Sequence, residues 1–383
     1  MLVSVCIPYH LRPSQLLLTL QGLGNQRLGA HRLEVVIGTH ATDENLRYLK
    51  HIGRLHPIRV VVANSSSPST SALRNAALAA AKGDILVLLD CDVVLNPDVV
   101  AGHADLHERA RPSRPNRVIL GRVSAYDKLS SSISDDDKSL VPDRRLSLQL
   151  DDSPISWCLC WTGHLSVSRQ VVDQHEILFD ESFVGWGMED QEWGYRLYER
   201  GFRFMFEPQL FGWHLPHPRD VALNLAQEQA NLKRFLRKHP SFEVELVAAF
   251  GDTAAFKSYP YMVDVVGKLY FGRFNVVPMR KEILRCSGSM LFLGAPSEAP
   301  SCATWVLCPS ANFSRDDGES CDDKRTIPLL GLATYFEDCE HDLALLSPRF
   351  LTLPGEIRKM VLAESSRVSR RVVQIPSADQ VSL

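Results

Sequence analysis

Asp84-Ile85-Leu86-Val87-Leu88-Leu89-Asp90-Cys91-Asp92 holds an apolar run of the buried-strand type that delivers two carboxylates, one residue apart, at its C-terminal end. Just upstream, Ser71 to Lys82 is Ala-rich and predicts a helix, with Gly83 in the C-cap position. Nearer the N-terminus, Val3-Ser4-Val5-Cys6-Ile7, stopped by Pro8, reads as a strand. Leu33 to Gly38 and Ile58 to Ala63 read as two more, and Gln15 to Gly22 has helical character. Strands alternating with helices predict an α/β fold with a mostly parallel sheet between helical layers. Ligands of such sheets gather beyond the carboxyl ends of the strands. Asp90 and Asp92 fall at that edge.

The chain has 383 residues, 45% of them hydrophobic and 23% charged, enough for two domains with sizeable cores. A net charge of −3 argues against a dedicated nucleic-acid partner, which needs a basic face. The N-terminus lacks the pattern of a signal peptide, and no stretch reaches the ~20 apolar residues of a transmembrane segment. Nine scattered cysteines in such a chain imply reduced thiols, so a soluble, cytoplasmic protein is expected. The expected first domain covers 1–245. It includes a flexible acidic loop at about 128–152, either simply disordered or a lid over bound substrate. Residues 157–218 are rich in Trp, Phe, Gly, acid and His, and Asn224 to Lys238 predicts a helix closed by His239-Pro240. A smaller α/β unit is expected over 255–383, with strand-like runs at 289–293, 304–307, 343–346 and 371–375. Its expected role is packing or homo-oligomerisation. The spacings of Cys302, Cys308, Cys321 and Cys339 match no zinc signature.

Three constellations carry chemistry. A divalent cation on a diphosphate wants hard oxygen ligands, few of them from protein. Asp90 and Asp92 at a strand end meet that need: the second coordinates the ion while the first binds ribose or a metal-bound water. The next constellation is Gly185-Trp186-Gly187-Met188-Glu189-Asp190. Two glycines around Trp186 suggest a tight loop presenting an aromatic plate, with the acidic pair opening a helix, where its dipole favours carboxylates. Plain N-terminal capping explains the pair equally well; alternatively one carboxylate serves as general base on an acceptor hydroxyl. The third is Trp213-His214-Leu215-Pro216-His217-Pro218, whose histidines are too close for a two-His zinc helix and instead suggest a ligand to the same cation.

Together these motifs make the chain, over roughly Leu2 to Lys238, resemble the family 2 glycosyltransferases of the GT-A fold. That resemblance implies a nucleotide-diphospho-sugar transferase with a Rossmann-like mixed sheet, using Mn2+ or Mg2+. Pro8 and Tyr9 end a strand similar to the one that lies by the family's nucleotide base. Arg74 and Asn75 resemble its Arg-Asn helix, with Arg74 on the nucleotide side. Gly163 falls in a segment like the one lining the sugar pocket. Gly185-Trp186-Gly187-Met188-Glu189-Asp190 is close to the pattern of β-1,4-galactosyltransferases and bacterial chondroitin polymerases. There the Asp at the place of Asp190 is the catalytic base, oriented here by Glu189, and a later His completes the metal site. His214 is at the matching place, with His217 as the alternative. The resemblance implies a nucleotide-diphosphate sugar donor, UDP-linked as a first choice, and a sugar or small-molecule acceptor. The family's Asp-Asp-Gly-Ser run is replaced by Ile37-Gly38-Thr39-His40-Ala41-Thr42-Asp43, which removes the base-reading carboxylate or shifts it to Asp43. Related acidic motifs occur in retaining enzymes, so inversion is favoured by Asp190 without being fixed. A nucleotidyltransferase would share the sheet, but Pro8 to Arg12 is no Gly-rich phosphate loop. A non-catalytic binding scaffold would be expected to have lost acidic motifs that are all present.

Overall fold

The computed structural model describes residues 1–40, 59–109, 116–126, 140–150, 153–271, 288–309 and 325–376. The chain divides into two compact units, Met1–Asn231 and Leu232–Leu383.

In the first unit the strands are β1 (Leu2–Tyr9), β2 (Arg32–His40), β3 (Arg59–Ser65), β4 (Ile85–Leu89), β5 (Val93–Leu95), β6 (Arg117–Tyr126), β7 (Leu140–Val141), β8 (His164–Ser168) and β9 (Arg203–His214). They form one sheet in the order β3-β2-β1-β4-β8-β6-β9-β5, with β7 on β6. The half β3-β2-β1-β4 is parallel, as the strand–helix alternation predicts. Beyond it β8 runs antiparallel to both β4 and β6, and β5 antiparallel to β9, so the whole sheet is mixed. Alternate residues Val3, Val5 and Ile7, Val35 and Ile37, and Ile85, Val87 and Leu89 face one core, joined by Leu16, Leu20 and Leu23 and by Val99, Val100 and Ala104. The helix Thr70–Ala80 packs on β1, β2 and β3 through the buried Leu73 and Ala77. With both faces covered, β1, β2 and β4 are buried along nearly their whole length.

Two local expectations differ from the structure. β1 continues through Pro8 to Tyr9, because its pairing with β4 stops at Cys6 and the missing N–H of Pro8 falls beyond it. The Ala-rich helix stops at Ala80 with Ala81 extended, so Gly83 is no cap. It is a point of close approach instead: a Cβ there would lie 2.5 Å from the Ser4 nitrogen. Of the expected acidic loop, residues 140–150 are ordered. Arg145, fully buried, donates from Nη2 to Asp143 Oδ2 at 2.7 Å and to the Gly121 carbonyl at 2.8 Å. The remainder of that loop lies outside the described residues.

The second unit holds β10 (Met290–Leu293), β11 (Trp305–Leu307), β12 (Thr326–Ile327), β13 (Leu343–Leu346) and β14 (Val372–Gln374), all parallel, in the order β12-β11-β10-β13-β14. Met290, Phe292, Val306, Leu343 and Leu345 anchor its core. Among the described residues, no helix is long and apolar enough to cross a membrane.

Candidate active site

The carboxyl end of β4 builds the first half of the site. The Asp90 N–H donates to the Gly163 carbonyl at 3.1 Å, and the Val93 N–H to the Asp90 carbonyl at 3.2 Å, which closes a turn into β5. Thr19 Oγ1 donates to the Cys91 carbonyl at 2.9 Å and fixes that turn from below. Antiparallel pairing then sets Val93 opposite His214, and the Leu215 N–H donates to the Asp92 carbonyl at 2.7 Å. Two stretches more than a hundred residues apart in sequence thereby meet at Asp92. His214 Nε2 lies 3.7 Å from Asp92 Oδ1, and His217 Nε2 lies 3.3 Å from Asp92 Oδ2.

Asp92 is buried, and its Oδ1 has no hydrogen-bond partner. Burial pushes its carboxyl up, Asp90 adds to the rise, and His214, Arg12 and His217 oppose it. Burial also holds His214 down, towards the neutral imidazole that ligates metals. His217 donates from Nδ1 to the Pro218 carbonyl at 2.9 Å, which leaves the lone pair on Nε2. A buried carboxylate oxygen and two imidazole nitrogens, all within 4.8 Å of one another, form a donor set that fits a divalent cation. His31, Asp105 and Glu108 form a second, more exposed group of this kind, in which His31 Nε2 already lies 3.0 Å from Asp105 Oδ1.

The second half is the loop before the helix Glu189–Glu199. Gly185 and Gly187 adopt φ of +83° and +95°, which glycine takes without a Cβ clash, and Trp186 between them is 48% exposed. Gln227 Oε1 accepts from the Trp186 N–H at 2.9 Å. Asn231 Nδ2 donates to the Gly187 and Val184 carbonyls at 2.9 and 3.2 Å. Glu189 and Asp190 lie in the first helical turn. Arg74, buried, donates from Nη1 to Glu189 Oε1 at 3.0 Å and from Nη2 to Asp90 Oδ1 at 3.3 Å. Its guanidinium therefore joins the two acidic motifs. Desolvation pushes the Asp190 carboxyl up to about 7, Glu189 adds to the rise, and Arg74 resists it.

The other predicted residues take the following places. Pro8 and Tyr9 are buried at the end of β1. Asn75 spends its amide on the segment leading to Trp186: Nδ2 donates to the Phe179 carbonyl and Glu181 Oε1, both at 2.9 Å, and Oδ1 accepts from the Phe179 N–H at 2.9 Å. A Cβ on Gly163 would lie 3.1 Å from Asp90 Oδ2, so glycine lets that carboxylate settle on the β8 approach. Asp43 lies outside the described residues. Sequence reasoning missed Arg12, whose Nη1 donates to Asp92 Oδ2 at 2.6 Å, and Arg219, which lies against both imidazoles. Arg12 follows the first strand closely, at the sheet edge that gathers ligands, and that position is the signal that could have found it.

A sequence profile described as "Glycosyltransferase like family 2" matches residues 2–233. The validoxylamine A glucosyltransferase of Streptomyces hygroscopicus subsp. jinggangensis (strain 5008) is 30% identical over 282 residues, spanning 67% of this chain and 65% of that protein. The chondroitin synthase of Escherichia coli is 24% identical over 325 residues, 76% of this chain and 44% of that one. The chain thus spans less than two thirds of the length of these relatives. Among solved structures, S. aureus TarS 1-349 in complex with UDP-GlcNAc superposes with a TM-score of 0.47 at 15% identity, covering 70% of this chain and 78% of that one.

Proposed function

The chain belongs to the glycosyltransferase-like family 2, and from that premise we propose its reaction: transfer of a sugar from a nucleotide-diphosphate sugar to an acceptor hydroxyl. Asp92, His214 and His217 are the proposed ligands of a divalent cation, with Asp90 assisting through ribose or water. Mn2+ or Mg2+ bound there would supply Lewis-acid neutralisation of charge on the leaving diphosphate. Asp190 takes the proton of the acceptor hydroxyl as its oxygen attacks the anomeric carbon, and the bond from that carbon to the diphosphate breaks. A base on the acceptor side implies direct displacement and inversion. Trp186 offers its exposed ring to the apolar face of a sugar.

One observation carries this proposal: Arg74 ties Asp90 and Glu189 to a single guanidinium, which supports reading the strand-end carboxylates and the acidic helix start as one site. A carboxyl pushed up to about 7 is also matched to proton transfer near neutral pH. Similarity to a protein named for glucosyl transfer to validoxylamine A puts glucosyl donors first in the panel to be tried, UDP-linked ones at its head.

The test is calorimetry with a panel of nucleotide sugars, with and without Mn2+, on the wild type and Asp190→Asn. Metal-dependent binding of at least one donor is expected in both proteins. Transfer is expected to fall by about 10²- to 10⁴-fold in Asp190→Asn, the usual contribution of a positioned general base. Near-normal transfer by the variant would remove Asp190 as the base. Silence across the whole panel would favour a non-catalytic scaffold.

A further inference from the structure

Each of the three residues assigned to the cation is in contact with a guanidinium. Arg12 Nη1 donates to Asp92 Oδ2 at 2.6 Å. Arg219 Nη2 lies 3.3 Å from His214 Nε2, and Arg219 Nε donates to His217 Nε2 at 3.4 Å. A neutral imidazole has one lone pair on its unprotonated nitrogen, so it can accept from an arginine or ligate a metal, not both. The carboxylate has a spare oxygen, but a guanidinium beside it neutralises the one formal negative charge among the three ligands.

The backbone around Arg12 points the same way. Leu11, a non-glycine residue, sits at φ +51°, a left-handed conformation that L-residues avoid. This strained turn immediately precedes Arg12, whose guanidinium reaches Asp92. The carboxylate side chain is only 2% exposed, whereas that of Arg12 is 40% exposed. Asp92 is the fixed element and the arginine its solvent-side cover.

We infer that Arg12 and Arg219 form a guanidinium plug on the cation's three ligand residues, one that passes to the donor's phosphates when the cation enters. The inference rests on the cation site proposed above. Its consequence is thermodynamic coupling. A cation arriving alone must displace Arg219 from both imidazoles and meets an Asp92 carboxylate already neutralised by Arg12, which weakens its binding. A diphosphate gives both guanidinium groups a better-matched anionic partner, with room for bidentate hydrogen bonds. Cation and diphosphate therefore bind with positive cooperativity, each raising the affinity for the other by the same factor.

Mn2+ titrations followed by electron paramagnetic resonance, on wild type, Arg12→Gln, Arg219→Gln and Asp92→Asn, test the first part. Calorimetry with inorganic pyrophosphate at saturating Mn2+ tests the second. Each glutamine variant should bind Mn2+ alone about tenfold more tightly, the order of one charge-assisted hydrogen bond, and bind pyrophosphate with Mn2+ about tenfold more weakly. Arg12→Lys keeps the charge without the fork and should fall between the two; it also serves if the glutamine variant folds poorly by circular dichroism. Unchanged or weakened Mn2+ affinity in the arginine variants, with Asp92→Asn abolishing binding, would overturn the plug and leave the cation site standing. Equal Mn2+ binding by wild type and Asp92→Asn would instead remove the site itself, and the plug with it.

Discussion

Arg74 is buried beside three carboxylates, Asp90, Glu189 and Asp190, and they keep it charged against the pull of burial. Its two terminal nitrogens reach two different acidic motifs, a geometry that the single ammonium of lysine cannot reproduce. Replacing it with methionine leaves buried negative charge without a partner, which costs about 3–5 kcal/mol. Arg74→Met should therefore unfold at markedly lower denaturant. Arg74 also favours the ionised form of Asp190, so its loss should move the acidic limb of the pH–rate profile to higher pH. A variant of near-wild-type stability, with that limb unmoved, would reduce Arg74 to a bystander.

At the scale of elements, the site depends on one strand pairing and one stapled loop. β5 is only three residues long, yet its pairing with β9 puts His214 beside Asp92. The loop around Trp186 is held by the helix Val221–Lys238 through Gln227 and Asn231. Asn231→Ala removes donors to at least two loop carbonyls and should destabilise the loop by about 1–3 kcal/mol. Hydrogen exchange at Trp186 to Met188 should accelerate and kcat/KM should fall; unaltered protection there would show the staple to be dispensable. Much of this was legible beforehand, because β4 with its two aspartates, the Arg-Asn helix and the Gly-Trp-Gly turn are local patterns. The partners of those patterns were not. β9 hides its strand character behind Pro208 and a register shift opposite Gly121 and Arg122, where Glu207 is followed in the pairing by Phe211. The antiparallel insertion of β8 between β4 and β6 depends on long-range pairing that periodicity cannot reveal. Arg12, Arg219 and Asn231 acquire their roles only once those strands have closed.

Across the whole molecule, titratable groups are distributed unequally between the two units, and this predicts an acid response. In the first unit His103, His107 and His164 form a buried chain: His103 Nε2 lies 2.9 Å from His164 Nε2, and Ser166 Oγ lies 2.8 and 2.9 Å from His103 Nδ1 and His107 Nε2. Burial holds His107 and His164 down to about 4 and pushes His103 well below the ordinary imidazole value. Such imidazoles stabilise the fold fully above their unfolded value near 6.5, and that stability is lost as pH falls towards 4, because the unfolded chain takes up the protons. His214 acts in the same sense, while Asp92 and Asp190, both raised by burial, act in the opposite one. Among the described residues the first unit thus sets four depressed imidazoles against two raised carboxyls. In the second unit His341 is held down by burial, whereas Glu245 is pushed up to about 7 by burial, despite four backbone N–H donors from Leu330 to Ala333. The two groups oppose each other there. Acidification from pH 7 to pH 4.5 should therefore loosen the first unit selectively, at roughly 1.4 kcal/mol per pH unit for each uncompensated proton. Hydrogen exchange followed by mass spectrometry and corrected for intrinsic rate should show β4 and β8 peptides losing protection while β10 and β13 peptides keep theirs. Equal loss in both units, or loss in the second first, would mean that the buried histidine chain does not set the acid limit of the fold.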